Sequence, residues 1–164
     1  MKLLLVRHAA AVPRGTPGIP DDERPLTPKG RAKFSAAAKG LARIAHRPDV
    51  LLTSPLPRAR ATAEIAARAF KRIEPTIEPA LAHESLDGIV AALGAYPAGS
   101  TVAVVGHEPT LSALLARLLG TPHGERLAFK KGGAALVDLP DGPSGCGLLV
   151  WFVKPKVLRA LAGD

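Results

Sequence analysis

The stretch Leu3-Leu4-Leu5-Val6-Arg7-His8 decides the fold. Four consecutive apolar residues followed at once by two polar ones read as a short strand buried on both faces, the pattern of a parallel sheet covered by helices. Two further segments repeat it. Residues 50–53 lead into Ser54 and Arg58, and residues 101–105 lead into Gly106-His107. Helical stretches lie between. Thr27 is a cap residue and Pro28 suits a first helical position, which predicts a helix to about Ala45. Pro57 opens another to about Phe70. Residues 73–81 are extended and broken by Pro75 and Pro79, and 87–93 are helical. Residues 110–119 are helical up to Gly120. Residues 134–139 and 148–153 flank a turn-rich segment and predict an antiparallel hairpin, followed by a short helix over 155–161. Residues 9–25, rich in Pro, Gly and charge, predict a loop. Strands alternating with helices predict an α/β fold, a three-layer αβα sandwich whose sheet is mainly parallel with an antiparallel edge. The length of 164 residues predicts one domain over 1–164.

Composition narrows the partners. The apolar fraction is 47%, with few aromatics, so an aliphatic core is expected. A net charge of +8 favours anionic ligands. The basic residues are scattered through the helices, Lys130-Lys131 being the tight pair outside them, and no zinc-finger, recognition-helix or aromatic RNA-binding pattern accompanies them. No nucleic-acid partner is expected. Cys146 stands alone, so no intrachain disulfide is possible. Arg7 and His8 cut the N-terminal apolar run short of a signal peptide, and no stretch approaches a membrane span. A cytoplasmic protein with no membrane partner, acting as a monomer, is expected.

In parallel α/β sheets ligands bind beyond the carboxyl ends of the strands. Three strand ends here deliver Arg7, His8, Arg58 and His107 to one edge. So much positive charge in one place is costly unless an anion sits within it. The arginine fork matches phosphate oxygens and stays charged at physiological pH. The helix opening at Pro57 adds its positive end at the same edge. A neutral imidazole beside such cations keeps a free lone pair and is a competent nucleophile towards phosphorus. Arginines can stabilise the equatorial oxygens of a transferring phosphoryl group, so neither a metal nor another cofactor is expected.

The segments Leu5-Val6-Arg7-His8-Ala9, Arg24-Pro25-Leu26-Thr27-Pro28-Lys29-Gly30, Thr53-Ser54-Pro55-Leu56-Pro57-Arg58-Ala59-Arg60-Ala61-Thr62-Ala63 and Val104-Val105-Gly106-His107-Glu108-Pro109 resemble, in order and spacing, the histidine phosphatase or phosphoglycerate-mutase-like superfamily. The short chain most resembles the SixA-type phosphohistidine phosphatases of bacteria. The resemblance implies a phosphoglycerate-mutase-like fold and a metal-independent hydrolase. It implies His8 as nucleophile, Arg7, Arg58 and His107 as the phosphate pocket, and Arg24 as an added contact. The implied substrate is a phosphorylated protein carrying phosphohistidine in bacterial signalling. The alternatives are a small phosphate monoester, or a module that binds phosphate without turnover.

Some assignments stay open on sequence. Arg24 lies among Asp21, Asp22 and Glu23 and is either a substrate contact or an ion-pair residue. Ser54 either orients His8, as part of the substrate site, or begins a turn. Glu84 is either the general acid or a surface carboxylate, with His83 a weaker candidate. Ala9 stands where the family usually has glycine, which would strain the backbone if φ were positive there.

Overall fold

The structure is a computed structural model and describes residues 1–83 and 85–163. Strands β1 (Lys2–Arg7), β2 (Val50–Thr53), β3 (Pro75–Ile77), β4 (Thr101–Gly106), β5 (Ala134–Asp138) and β6 (Leu148–Val153) form one sheet in the order β3-β2-β4-β1-β5-β6. The pairs β1–β4, β2–β4 and β2–β3 are parallel; β1–β5 and β5–β6 are antiparallel. This is the expected mainly parallel sheet with an antiparallel edge.

Helices cover both faces. Helices α1 (Pro28–Ile44), α2 (Pro57–Ala69) and α5 (Pro155–Leu161) lie on one side, and α3 (Leu86–Gly94) and α4 (Thr110–Leu119) on the other. Side chains alternate between the faces of a strand. Leu4 and Val6 therefore join Phe34, Leu41 and Leu158 in one core, while Leu3 and Leu5 join Ile89, Leu93, Leu111 and Leu115 in the other. Burying each such leucine contributes roughly 1.5–3 kcal/mol. That is why β1 has no polar face to alternate with its apolar one.

Local signals set the helix ends. The Thr27 hydroxyl accepts the Gly30 N–H at 2.9 Å and Pro28 occupies the first turn of α1, as expected. Gly120, at φ 68°, closes α4 in the left-handed conformation. The loop over residues 9–25 also contains a 3-10 turn at Asp21–Glu23, and Ala11 bridges Leu26. This turn places Asp21 over the carboxyl edge of the sheet.

Helices α1 and α5 pack backbone to backbone at Gly40. A Cβ there would overlap the Leu158 carbonyl, which belongs to a rigid helix and cannot step aside. Gly40→Ala is expected to lower the urea-unfolding free energy by about 3 kcal/mol through overpacking.

Candidate active site

Register brings the site together. Arg7 on β1 pairs with Gly106 on β4, and Thr53 on β2 pairs with Val105 on β4. His8, His107 and Ser54 therefore leave three adjacent central strands at the same level. The His8 N–H donates to the Gly106 carbonyl (3.0 Å) and the Ser54 N–H to the Val105 carbonyl (3.1 Å), extending the ladders one residue into the site. The His8 and His107 ring centroids are 5.0 Å apart.

The hydrogen bonds fix the state of each ring. His8 Nδ1 lies 2.7 Å from the Ala9 carbonyl oxygen. A carbonyl can only accept, so Nδ1 carries the proton and Nε2 the lone pair. His107 Nε2 lies 2.8 Å from Ser54 Oγ, which also accepts the Leu56 N–H. Ser54 is fully buried, and its hydroxyl proton has no acceptor among the described residues other than His107 Nε2. Nδ1 of His107 is then the N–H donor.

Arginines frame the two rings. Arg7 Nη1 donates to the Phe129 carbonyl at 2.6 Å. Glu108 holds that segment, accepting the Phe129 N–H (2.9 Å) and the Ser112 hydroxyl (2.7 Å). Arg58, 5% exposed in the first turn of α2, donates from Nη1 to the Asp21 carbonyl at 2.8 Å. Thr62, one turn on, accepts the Ala9 N–H and donates to the Arg58 carbonyl, tying the strand end to the helix. Buried donors without a partner cost about 1–3 kcal/mol each. Arg7 Nε, Arg58 Nε and His107 Nδ1 are all buried without a protein partner among the described residues. The Thr110 hydroxyl is the other such atom. Three nitrogen donors left over on residues that converge with His8 suit the oxygens of a tetrahedral oxyanion.

The expected residues fall out unequally. His8, Arg7, Arg58 and His107 converge. Arg24 is buried, but its Nε is engaged by the Asp21 carboxylate (2.9 Å) and its Nη1 by the Val12 carbonyl (2.8 Å). It brings charge towards His107 while anchoring the loop. Ser54 turns to His107 and not to His8, and being fully buried it positions that ring instead of meeting a substrate. Glu84 lies outside the described residues. Ala9 does not have a positive φ, so alanine is unstrained there. Sequence reasoning passed over Thr62, Glu108 and the carbonyls of Phe129 and Asp21.

Comparisons with known proteins identify the family and the fold. The family model described as the histidine phosphatase superfamily (branch 1) matches residues 3–86. The chain belongs to this superfamily. A histidine phosphatase is a hydrolase of phosphorylated substrates, so this chain is a phosphatase enzyme. An uncharacterized protein of Picosynechococcus is 35% identical over 145 residues, covering 87% of this chain and 86% of its own. The solved SixA of Agrobacterium tumefaciens is 27% identical, covers 94% of this chain and 97% of its own, and superposes with a TM-score of 0.80. A protein histidine phosphatase SixA complexed with tungstate is 25% identical over 96% of this chain and 99% of its own, with a TM-score of 0.77. These likenesses confirm the phosphoglycerate-mutase-like α/β fold. No helix among the described residues is long and apolar enough to cross a membrane.

Both rings of this histidine phosphatase are held neutral. Burial pushes His8 down to about 3; the hydrogen bond to Ala9 opposes that, and the charges of His107, Arg58 and Arg7 add to it. His107 is pushed down to about 4, by burial first and then by Arg58, Arg7 and Arg24. Burial likewise lowers Arg7 and Arg58, with Glu108 opposing the shift at Arg7 and Asp21 at Arg58. An unfolded histidine protonates near pH 6.5, so between that pH and the folded values the unfolded chain binds more protons. The stability these rings permit is complete above pH 6.5 and falls as the pH drops. Acidification from pH 7 to 5 is expected to cost about 2 kcal/mol for each ring. Urea unfolding at the two pH values checks this: the drop should shrink by that amount when either histidine is replaced. The ring nitrogen NMR shifts of His8 and His107 should stay flat over the same range.

Proposed function

We propose that the chain hydrolyses protein phosphohistidine with His8 as nucleophile, in a bacterial phosphorelay or related phosphocarrier system. The single observation that carries the mechanism is that the residues converging with His8 keep three buried donors unpartnered among the described residues: Arg7 Nε, Arg58 Nε and His107 Nδ1. Nε2 of His8 attacks phosphorus in line. A new N–P bond forms as the N–P bond to the substrate imidazole breaks. The Ala9 carbonyl stabilises the Nδ1–H of the phosphorylated, now cationic, His8 ring. Water then attacks phosphorus, gives its proton to the departing phosphate and returns His8 to its neutral form. Arg7, Arg58 and His107 hold the three equatorial oxygens through both steps. These guanidinium groups supply the charge stabilisation that a metal supplies elsewhere.

The leaving group supports the choice of substrate. An imidazole protonated on its far nitrogen departs neutral and needs no acid, whereas an alkoxide needs one. Among the described residues, the unpartnered donors beside His8 are guanidinium and imidazole groups, none of them a strong acid. The names of the SixA structures at 27% and 25% identity point the same way, and tungstate is an oxyanion shaped like phosphate.

The test compares kcat/KM on a phosphohistidine protein with that on simple phosphomonoesters, alongside acid-quenched trapping of an alkali-stable label on His8. General acids contribute about 10²- to 10⁴-fold, so phosphohistidine is expected to lead by at least about 10²-fold. Equal or faster turnover of phosphomonoesters would overturn this choice of substrate.

A further inference from the structure

Beside the catalytic centre lies a second, chemically different cavity of about 140 Å³. Phe34 and Pro155 supply apolar wall, and Ala9, next to His8, lines its inner end. Lys29, Lys33, Lys131 and Arg159 line it too, with no Asp or Glu among them. It opens at the carboxyl edge of the sheet. Lys29 and Lys33 stand in the first two turns of α1, Lys131 just before β5, and Arg159 on α5. The Gly132 N–H, on the same wall, donates to the His8 carbonyl at 3.2 Å, so the cavity and the nucleophile share backbone.

What sets the four cations apart is that they line one cavity together with no carboxylate in its wall. Arg14, Arg24, Arg58, Arg117 and Arg126 each face a carboxylate. Among the described residues, Lys29, Lys33, Lys131 and Arg159 make no ion pair. They line one cavity together with apolar wall, a combination that is repulsive by itself and complementary to an anionic partner carrying an apolar group. A cavity of about 150 Å³ lined by apolar side chains takes up one benzene, so this one has room for a single aliphatic side chain.

We propose that this cavity docks an acidic segment of the phosphorylated protein, with one apolar residue seated on Phe34 and Pro155 and flanking carboxylates on the four cations. The assignment rests on the phosphohistidine reading for the identity of the protein, but not for the docking itself. It gives the site a way to recognise a protein beyond the phosphoryl group, and it predicts selectivity by surface charge among phosphohistidine proteins. Contacts of this kind, away from the reacting atoms, act on association more than on chemistry.

Two measurements decide it, each on the wild-type chain and on the double variant Lys33→Glu/Arg159→Glu, with Lys33→Gln/Arg159→Gln as the milder pair. The first is binding of a labelled peptide bearing one leucine flanked by glutamates, followed by anisotropy at low salt. The wild type should bind it, and the charge-reversed variant at least about tenfold more weakly. Added salt should erase most of that difference. The second is turnover. KM for an acidic phosphohistidine protein should rise about tenfold at unchanged kcat, while kcat/KM for phosphoimidazole stays within about twofold.

A wild type that ignores the peptide overturns the docking site, and so does a variant that binds it equally well. A parallel loss on phosphoimidazole also overturns it, because the substitutions then act through the catalytic centre. Peptide binding with no turnover of any phosphohistidine protein retains the docking site and sinks the substrate reading instead.

Discussion

His8→Ala is expected to lower kcat by at least about 10⁴-fold and to leave no phosphorylated intermediate. The size of the loss follows from how few nucleophiles the site holds. The His8 lone pair is on Nε2 because Nδ1 donates to the Ala9 carbonyl. The neighbouring ring cannot substitute: its Nε2 faces Ser54 Oγ and its Nδ1 is the proton-bearing nitrogen. What survives in the variant is the cluster of donors around the phosphoryl group, which can still stabilise slow attack by water. Tungstate or vanadate binding should therefore persist in His8→Ala, showing an intact fold, while turnover disappears. Added imidazole, entering the space left by the ring, should restore part of the rate. Turnover at the wild-type rate would sink covalent catalysis by His8.

The central strands were legible because burial on both faces leaves no room for polar residues until the sheet ends. Leu3 to Val6 had to be followed by the first residues free to do chemistry. Helix starts were legible for an equally local reason, Thr27 and Pro28 satisfying the first turn of α1 without help from the rest of the fold. Strand order was not, since it depends on contacts far apart in sequence. That gap explains Ser54. Because β4 lies between β1 and β2, the residue after β2 neighbours His107 and cannot reach across to orient His8. Thr62 and Glu108 were passed over for a related reason. Each acts on backbone groups, Thr62 on Ala9 and Arg58 and Glu108 on Phe129, and those partners are set by tertiary packing. Thr62 did leave a signal, lying four residues after Arg58 on the same helical face. The aspartate of the charged loop carried none. Its backbone carbonyl, and not only its carboxylate, holds Arg58.

The second large effect is expected at Arg58. Arg58→Ala should reduce kcat/KM by about 10³-fold, and Arg58→Lys by about 10²-fold although charge is kept. A guanidinium has several nitrogens in a rigid plane, and this one uses them in different directions. Nη1 is anchored on the Asp21 carbonyl, while Nε is buried and left for an oxyanion. A lysine offers one nitrogen on a flexible stem, so its ammonium can sit on the loop carbonyl or on the phosphoryl oxygen, but not both in the plane the fork defines. The penalty should fall on kcat as well as KM, because the bond to the equatorial oxygen strengthens as charge develops in the transition state. Guanidinium ion added to Arg58→Ala should raise its rate and leave the wild type unaffected. If Arg58→Lys kept the wild-type kcat/KM, the site would need only net charge at this position, and the directional role argued for the buried Nε would be lost.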